Sequence, residues 1–279
     1  SSAQLCAGKS FQENGNWYCQ PVHHITYQNV GAVGEYQDVV RMDQQSGACE
    51  FQKRKFSGPL APFDEPMYIH FRGPLRLKQV AVYLPGSDQR KRDEAHYHAA
   101  RQSSSGLTFL ANRGDPYISG NFTRAFGNTL SYVDRTGTSC SPSSQTLLDT
   151  LLPSSAEVIL ATDQPCNAAC GYIQPGSIAR KGFASVSGTR VVMMDFSMPH
   201  AYGEDMPAIW MLNARIPLTG QYHGCSCWAS GCGEFDVFET LSQGETKAKS
   251  TFHSVFRGGD SNYFDRPTEG TVRVAVWFD

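Results

Sequence analysis

The sequence lacks an excess of charge of either sign. It has 24 basic and 26 acidic residues in 279, a formal net charge of −2, and only 18% of its residues are charged. Neither a nucleic acid nor an anionic membrane surface is expected as a partner, because both are bound through clusters of Lys and Arg. The chain also lacks an apolar run long enough to cross a bilayer, so we expect no membrane span.

Cysteine pairs at zinc-ligand spacing are lacking as well. The nine cysteines are Cys6, Cys19, Cys49, Cys140, Cys166, Cys170, Cys225, Cys227 and Cys232. No two of them form the C-x₂-C unit of a zinc site or of a redox thiol pair. Disulfides in a secreted protein are the alternative use, and the acceptor sequence Asn121-Phe122-Thr123 would fit secretion. We therefore expect no metal and no cofactor, and one cysteine must remain unpaired within the chain.

Convincing amphipathic helices are missing, whereas 26 Gly and 15 Pro residues indicate many loops. Strand-like runs are Met67–Phe71, Gln79–Leu84, Glu157–Ala161, Arg190–Ser197, Ala208–Leu212, Gly233–Thr240, Ser250–Phe256 and Thr271–Phe278. They predict an all-β protein built as an antiparallel β-sandwich, with the first two runs paired with each other.

We assign residues 66–279 to this sandwich. Residues 1–65 form a disulfide-bearing N-terminal β region that either stands apart or joins it. The polar tract 85–105 is predicted to be an exposed loop or a short helix.

The most informative stretch is W-A-S-G-C-G-E-F-D-V-F-E, from Trp228 to Glu239. Side chains alternate between the two faces of a strand, so Glu234 and Asp236 should share one face. Glu239 breaks this alternation. A β-bulge at Val237 or Phe238 would return it to the face of the other two acids.

Three acids on one face need a reason, because like charges repel. A solvated strand face with chance acids is one reading. A Ca²⁺ site is another, but Ca²⁺ needs 6–8 oxygen ligands and one strand cannot supply them. Retaining glycoside hydrolysis needs two carboxyl groups about 5–5.5 Å apart, one as nucleophile and one as acid/base. Asp236 between them would help to keep Glu239 protonated. We favour this catalytic interpretation.

E-F-D-V-F-E resembles the E-x-D-x-x-E signature of glycoside hydrolase family 16. R-V-V-M-M-D-F-S-M-P, M-P-A-I-W-M-L-N and T-F-H resemble strands around that signature. Over most of its length the chain is still more similar to fungal cell-wall glycosyl hydrolases of the "target of SBF" type. The long matches are C-S-C-W-A-S-G-C-G-E-F-D-V-F-E, G-G-D-S-N-Y-F-D-R-P-T and S-G-P-L-A-P-F-D-E-P-M-Y-I-H-F-R-G-P-L.

The resemblance implies a jelly-roll, concanavalin A-like sandwich and a secreted cell-wall endo-β-1,3-glucanase that acts with retention. Glu234 would be the nucleophile and Glu239 the acid/base. The implied partner is β-glucan, and we expect a monomer. Two alternatives stay open: a β-glucan transglycosylase of the wall, and a non-catalytic glucan-binding wall protein.

Seven further residues are candidates for substrate binding. Trp228 is interpreted as a sugar-stacking platform, and the match of T-F-H places His253 beside Glu239. Trp210 is as readily a core residue. Tyr222 and His223 either line the rim of the cleft or belong to a plain surface loop. The remaining two, Asn262 and Tyr263, lie in a polar loop.

The family pattern is broken at one point. In family 16 several strands follow the acidic strand, whereas only about forty residues follow Glu239 here. We therefore expect strands from the N-terminal half to take the missing places in the sandwich.

Overall fold

A computed structural model describes residues 6, 8–85, 93–115, 117, 128–154 and 156–279. The acceptor sequence at Asn121 lies outside these residues. The strands are β1 (Phe11–Glu13), β2 (Asn16–Tyr18), β3 (Val33–Met42), β4 (Cys49–Ser57), β5 (Met67–Arg72), β6 (Arg76–Leu84), β7 (Asp93–His98), β8 (Ser103–Ser105), β9 (Leu107–Ala111), β10 (Ser131–Val133), β11 (Cys140–Ser141), β12 (Glu157–Thr162), β13 (Arg190–Ser197), β14 (Ala208–Asn213), β15 (Glu234–Thr240), β16 (Lys247–His253), β17 (Arg257–Gly259), β18 (Phe264–Asp265) and β19 (Val272–Phe278). One short helix, α1 (Arg215–Thr219), and 3-10 turns at Ala168–Cys170 and Trp228–Ser230 lie between strands.

Two antiparallel sheets form the body of the fold. The larger has ten strands in the order β11-β10-β9-β12-β5-β14-β15-β16-β17, with β18 also paired to β16. The smaller has five, in the order β19-β13-β6-β7-β8. In β13 the buried Val192, Met194 and Phe196 alternate with more exposed residues, and they join Phe71 and Phe238 of the larger sheet in one core. The predicted all-β, antiparallel sandwich is confirmed.

Strands from the N-terminal half complete both sheets, as expected. β5 lies in the larger sheet between β12 and β14, where His70 is in register with both Ile159 and Trp210. β6 lies in the smaller sheet between β13 and β7. The predicted pairing of these two strands with each other is wrong. Both faces of β5 are buried, and its two edges are taken by β12 and β14, so β6 instead packs on it from the opposite sheet.

Part of the tract 85–105, residues 86–92, lies outside the described residues. For residues 93–98 the prediction is wrong, because they form the strand β7. Ala95 and Tyr97 are buried on one face, while His96 is exposed on the other. This alternation of apolar and polar residues is the pattern of a half-buried strand. The high density of charge just before it hid the pattern.

Two hairpins precede the sandwich and are fastened by disulfides. β1 pairs with β2, and Cys6–Cys19 links their two ends. β3 pairs with β4, and Cys49–Cys225 ties this hairpin to the loop before β15. The other disulfides are Cys166–Cys170 and Cys227–Cys232, which leaves Cys140 as the unpaired thiol. The expected use of cysteines as disulfides is confirmed, and Cys227–Cys232 braces the loop carrying Trp228. Among the described residues, no helix is long and apolar enough to pass through a membrane.

The disulfides should differ in their contributions to stability. Cys49 and Cys225 are 176 residues apart in sequence, so replacing both by Ala should lower the free energy of unfolding by about 5 kcal/mol in the loop-entropy model. Cys166 and Cys170 are separated by 4, and the same double replacement should cost about 2 kcal/mol. Denaturant unfolding of both double variants without reductant measures the difference. Equal losses would show that Cys49–Cys225 does not restrain the unfolded chain.

Candidate active site

A β-bulge in β15 places three carboxylates on one face. Trp210 of β14 is in register with Asp236, whereas the preceding Ile209 is in register with Phe238, so Val237 is an extra residue. The pairing with β16 shifts at the same point, between Asp236 and Glu239. Cross-strand partners share a face, and Ala208, two residues from Trp210, is opposite Glu239. The predicted bulge is therefore present, and Glu239 returns to the face of Asp236.

Two hydrogen-bond donors hold the carboxylate of Glu234. The Tyr222 hydroxyl donates to Oε1 over 3.2 Å, and the Trp228 indole N–H donates to Oε2. Burial, followed by the negative charge of Asp236, raises the pKa of Glu234. The bonds from Trp228 and Tyr222 act in the opposite direction, because they stabilise the ionised form. These two bonds therefore oppose protonation of Glu234, whereas burial and the charge of Asp236 favour it.

Tyr222 holds a left-handed backbone conformation, with φ of 59°. Such a conformation is uncommon for a bulky residue and is found most often where the surroundings impose it. Its ring meets the ring of Trp228 edge to face, with centroids 5.4 Å apart. Of the two readings left open for Tyr222, the one beside the carboxylates is the one that the structure has. The two rings form a wall beside Glu234.

Glu239 has a different environment. Burial, and then the negative charges of Asp236 and Glu234, raise its pKa to about 7. The Arg72 guanidinium partly offsets this, with its Nη2 3.8 Å from Oε1 of Glu239. A carboxyl group with a pKa near 7 exchanges a proton at neutral pH, which is what a general acid/base requires.

Asp236 lies between the two glutamates and is bound by His253. His253 Nε2 is 3.0 Å from Oδ2 of Asp236, and this bond is the main reason that the pKa of His253 is raised. The expectation that His253 lies beside Glu239 needs correction. In register His253 is opposite Glu234, four residues along β16 from Lys249, which is opposite Glu239.

Trp210 lies on the same face as the carboxylates, with Ala208 and Leu212, but it is buried. Its ring stacks on the ring of His70, with centroids 4.8 Å apart, and the Arg72 guanidinium lies 5.8 Å from its centroid. Of the two readings left open for this residue, burial is the correct one. Trp210 forms part of the floor beneath the site.

For three predicted residues, the contacts seen in the described part of the chain are with groups other than the carboxylates. Tyr263 packs edge to face on Tyr18 of the first hairpin, with centroids 5.7 Å apart. Asn262 donates its backbone N–H to the side chain of Asp260, and the backbone N–H of His223 donates to the carbonyl of Gly220. None of these contacts involves Glu234, Asp236 or Glu239.

Four polar residues at the site escaped the sequence analysis: His70, Arg72, Glu157 and Gln221. His70 Nδ1 is 2.9 Å from Oε1 of Glu157, which also accepts a bond of 3.1 Å from Nε2 of Gln221. A signal was present for two of them. In M-Y-I-H-F-R, the polar residues His70 and Arg72 alternate with apolar ones, which places them on one face of β5.

Comparison with known proteins gives the family. The family model described as "Cell wall protein YJL171C/Tos1, C-terminal" matches residues 89–279. The corresponding N-terminal model matches residues 23–85. The chain belongs to the Tos1 family of cell wall proteins. The resemblance to "target of SBF" wall proteins is thereby confirmed.

Members of the Tos1 family are similar to this chain over almost its whole length. A Saccharomyces cerevisiae relative, named "Probable circularly permuted 1,3-beta-glucanase TOS1", is 31% identical, with 95% of this chain and 85% of the relative covered. A second from the same yeast, with YJL171C in its name, is 34% identical, with coverage of 93% and 73%. A Candida albicans relative of the first type is 29% identical, with coverage of 100% and 88%. No solved structure gives a significant match.

The bond from Trp228 to Glu234 can be tested without any assumption about activity. Trp228→Phe keeps an aromatic ring but removes the N–H donor, so the pKa of Glu234 should rise. Carbon-13 NMR titration of labelled glutamate carboxyls would measure it. Trp17→Phe is the matched control, since Trp17 is exposed on the first hairpin. An unchanged or lower pKa in Trp228→Phe would show that the indole does not stabilise the carboxylate.

Proposed function

We propose that this chain is a cell-wall enzyme that cleaves β-1,3-glucan internally with retention of configuration. The observation that supports this most strongly is the contrast between two glutamates on one strand face. Glu234 receives two hydrogen bonds that favour its ionised form, whereas Glu239, with a pKa of about 7, receives none from the described residues. A retaining glycosidase needs one carboxylate as nucleophile and one carboxylic acid as proton donor.

The proposed reaction has two steps. Ionised Glu234 attacks the anomeric carbon while Glu239 gives its proton to the leaving glycosidic oxygen, and a glycosyl-enzyme ester forms. Glu239, now ionised, removes a proton from water, which attacks the same carbon and releases Glu234. When Glu234 loses its negative charge in the first step, the pKa of Glu239 falls, because that charge is one of the causes that raise it. Glu239 thus becomes acidic enough to remain ionised when it must act as a base.

Asp236 has an electrostatic part in this scheme. Its negative charge raises the pKa of both glutamates, and it is the largest charge effect on each. The bond from His253 fixes its position. Trp228 is 40% exposed beside Glu234, and an exposed indole suits contact with the apolar face of a sugar.

The choice of β-1,3-glucan rests on the relatives, whose names give 1,3-beta-glucanase activity. Those names also describe circular permutation. The topology supports the same description for this chain, since β5 and β6 precede the acidic strand in sequence but lie within the two sheets. The resemblance to the E-x-D-x-x-E signature of family 16 supports retention.

Azide rescue would assign the two glutamates. With an aryl β-glycoside, Glu239→Ala should still form the glycosyl-enzyme, because the leaving group needs little protonation, and azide should then give a β-glycosyl azide. Glu234→Ala lacks the nucleophile, so azide should attack the substrate directly and give the α-azide. NMR of the products distinguishes the two anomers.

Glu269→Ala, an exposed acid before β19, is the control and should hydrolyse the glycoside as the native chain does. The same azide anomer from both active-site variants would contradict the assignment. Oligosaccharides longer than the substrate would indicate transglycosylation. Glucan binding by the native chain without any turnover would favour the non-catalytic alternative.

The pH dependence of kcat/KM should report the environment of Glu239. The acid must be protonated, so activity should fall as pH rises through its pKa of about 7. Arg72 lowers this pKa, and therefore Arg72→Gln should move the alkaline limb to higher pH, by up to about one unit. Asp236 raises it, and Asp236→Asn should move the limb to lower pH.

Arg273→Gln is the matched control for Arg72→Gln, because Arg273 is an exposed arginine of β19 on the other sheet. Its pH profile should equal that of the native chain. Shifts of the same sign in Arg72→Gln and Asp236→Asn would refute Glu239 as the acid.

A further inference from the structure

A second polar group lies on the carboxylate face of the larger sheet, on strands that the proposed reaction does not use. It consists of Glu157 on β12, His70 on β5 and Gln221 from the loop that follows α1. Oε1 of Glu157 accepts from Gln221 and lies against Nδ1 of His70. Within the described part of the chain, no hydrogen bond is made to Oε2, and the side chain is 25% exposed. One oxygen is thus held, and the other is left for a further partner.

The carboxyl group of Glu157 is kept ionised. Burial raises its pKa, but the hydrogen bond and charge of His70, the bond from Gln221 and the charge of Arg72 together hold the pKa below its usual value. An ionised carboxylate accepts strong hydrogen bonds from hydroxyl groups.

Packing alone does not account for this polar group. His70 is completely buried, and its Nε2 has no hydrogen-bond partner among the described residues. The same holds for Nε1 of Trp210, whose ring stacks on His70. Buried polar atoms without partners destabilise a fold, and apolar residues would fill these positions at lower cost. Polar residues at these buried positions therefore point to a role outside folding.

The group forms one surface with the carboxylates. Glu157, Arg72, Ala208 and Glu239 are successive cross-strand partners on β12, β5, β14 and β15. Strands are about 4.8 Å apart, so Glu157 and Glu239 are roughly 14 Å apart across the sheet. Arg72 lowers the pKa of both Glu157 and Glu239. Burial, and then the negative charges of Glu234 and Glu157, raise the pKa of Tyr222. A glucan lying across the strands from the carboxylates would therefore pass over Trp210 and reach Glu157.

We propose that Glu157, together with Gln221, is a distal sugar-binding subsite, in which the second oxygen of Glu157 accepts a hydrogen bond from a hydroxyl of a glucose unit two to three units from the cleaved bond. His70 is a positioning residue that fixes one oxygen of Glu157 and leaves the other for the sugar. The subsite rests on the proposed function, because it extends the same cleft. It makes the enzyme prefer long chains to short ones.

The test compares substrates of different lengths. In the native chain, kcat/KM should rise from an aryl β-glucoside with one glucose to a β-1,3-linked hexasaccharide. Glu157→Gln and Gln221→Ala should each lower kcat/KM for the hexasaccharide by tenfold or more and change that for the monoglucoside by less than twofold. Gln79→Ala, an exposed glutamine on the other sheet, is the control and should change neither. Gln221→Ala leaves the buried pair of His70 and Glu157 intact, so it keeps the test valid if Glu157→Gln does not fold.

Two kinetic results would overturn the subsite. Equal losses on both substrates would place Glu157 and Gln221 among the groups that act on the catalytic carboxylates. Unchanged kcat/KM for the hexasaccharide in both variants would show that no sugar reaches them.

A binding measurement separates failure of the subsite from failure of the proposed function. Calorimetric titration of Glu234→Gln with β-1,3-linked disaccharide and hexasaccharide should show tighter binding of the longer chain, and adding Glu157→Gln should abolish this difference. That result would support the subsite even if the native chain turned over no glucan. Equal affinity for the two lengths before Glu157 is changed would rule it out.

Discussion

One break in the alternation of β15 determines which face of the sheet carries its three carboxylates. Without the extra residue at Val237, Glu239 would point into the core between the sheets, where a carboxyl group could not be supported. With it, three acids share one face, and burial followed by the charge of Asp236 raises the pKa values of Glu234 and Glu239. Among the described residues, the groups that stabilise the negative charges are unequal: Glu234 receives two neutral donors, Asp236 is bound by His253, and Glu239 has only the more distant Arg72. This inequality distinguishes the surroundings of two identical side chains.

The loop before β15 is held from several sides, which suits its role in positioning Trp228. Cys227–Cys232 closes the short turn that contains Trp228, and Cys49–Cys225 joins the loop to the second hairpin. The side chain of Ser230 binds both the backbone N–H and the carbonyl of Gln37. A donor that must face one oxygen of a carboxylate benefits from such restraint, because less motion has to be lost when substrate binds.

The sequence was informative where the pattern is local. Alternation in E-F-D-V-F-E, with its single interruption, predicts both the shared face and the bulge, and repeated short apolar runs predict the sandwich. Long-range partners could not be predicted. Adjacent runs such as β5 and β6 suggest a hairpin, yet which sheet each joins depends on strands far along the chain, β12 and β14 for β5 and β13 for β6. The bond from Tyr222 to Glu234 depends on a loop whose shape follows from disulfide pairing, and Cys spacing does not determine pairing. The contact of Tyr263 with Tyr18 could not be predicted either, because the two residues are far apart in the sequence.

The position of β5 has a consequence for how the chain folds. This early segment lies between strands that are made much later, and Trp210, Glu157 and Arg72 come together only when all three strands have met. Such pairing closes long loops before any favourable contact is gained, which slows folding. Until β5 has paired with β12 and β14, the edges of those two strands are open to pairing with other chains. The arrangement that brings residues from both halves of the chain into one cleft therefore also lengthens the period in which the protein is vulnerable to aggregation.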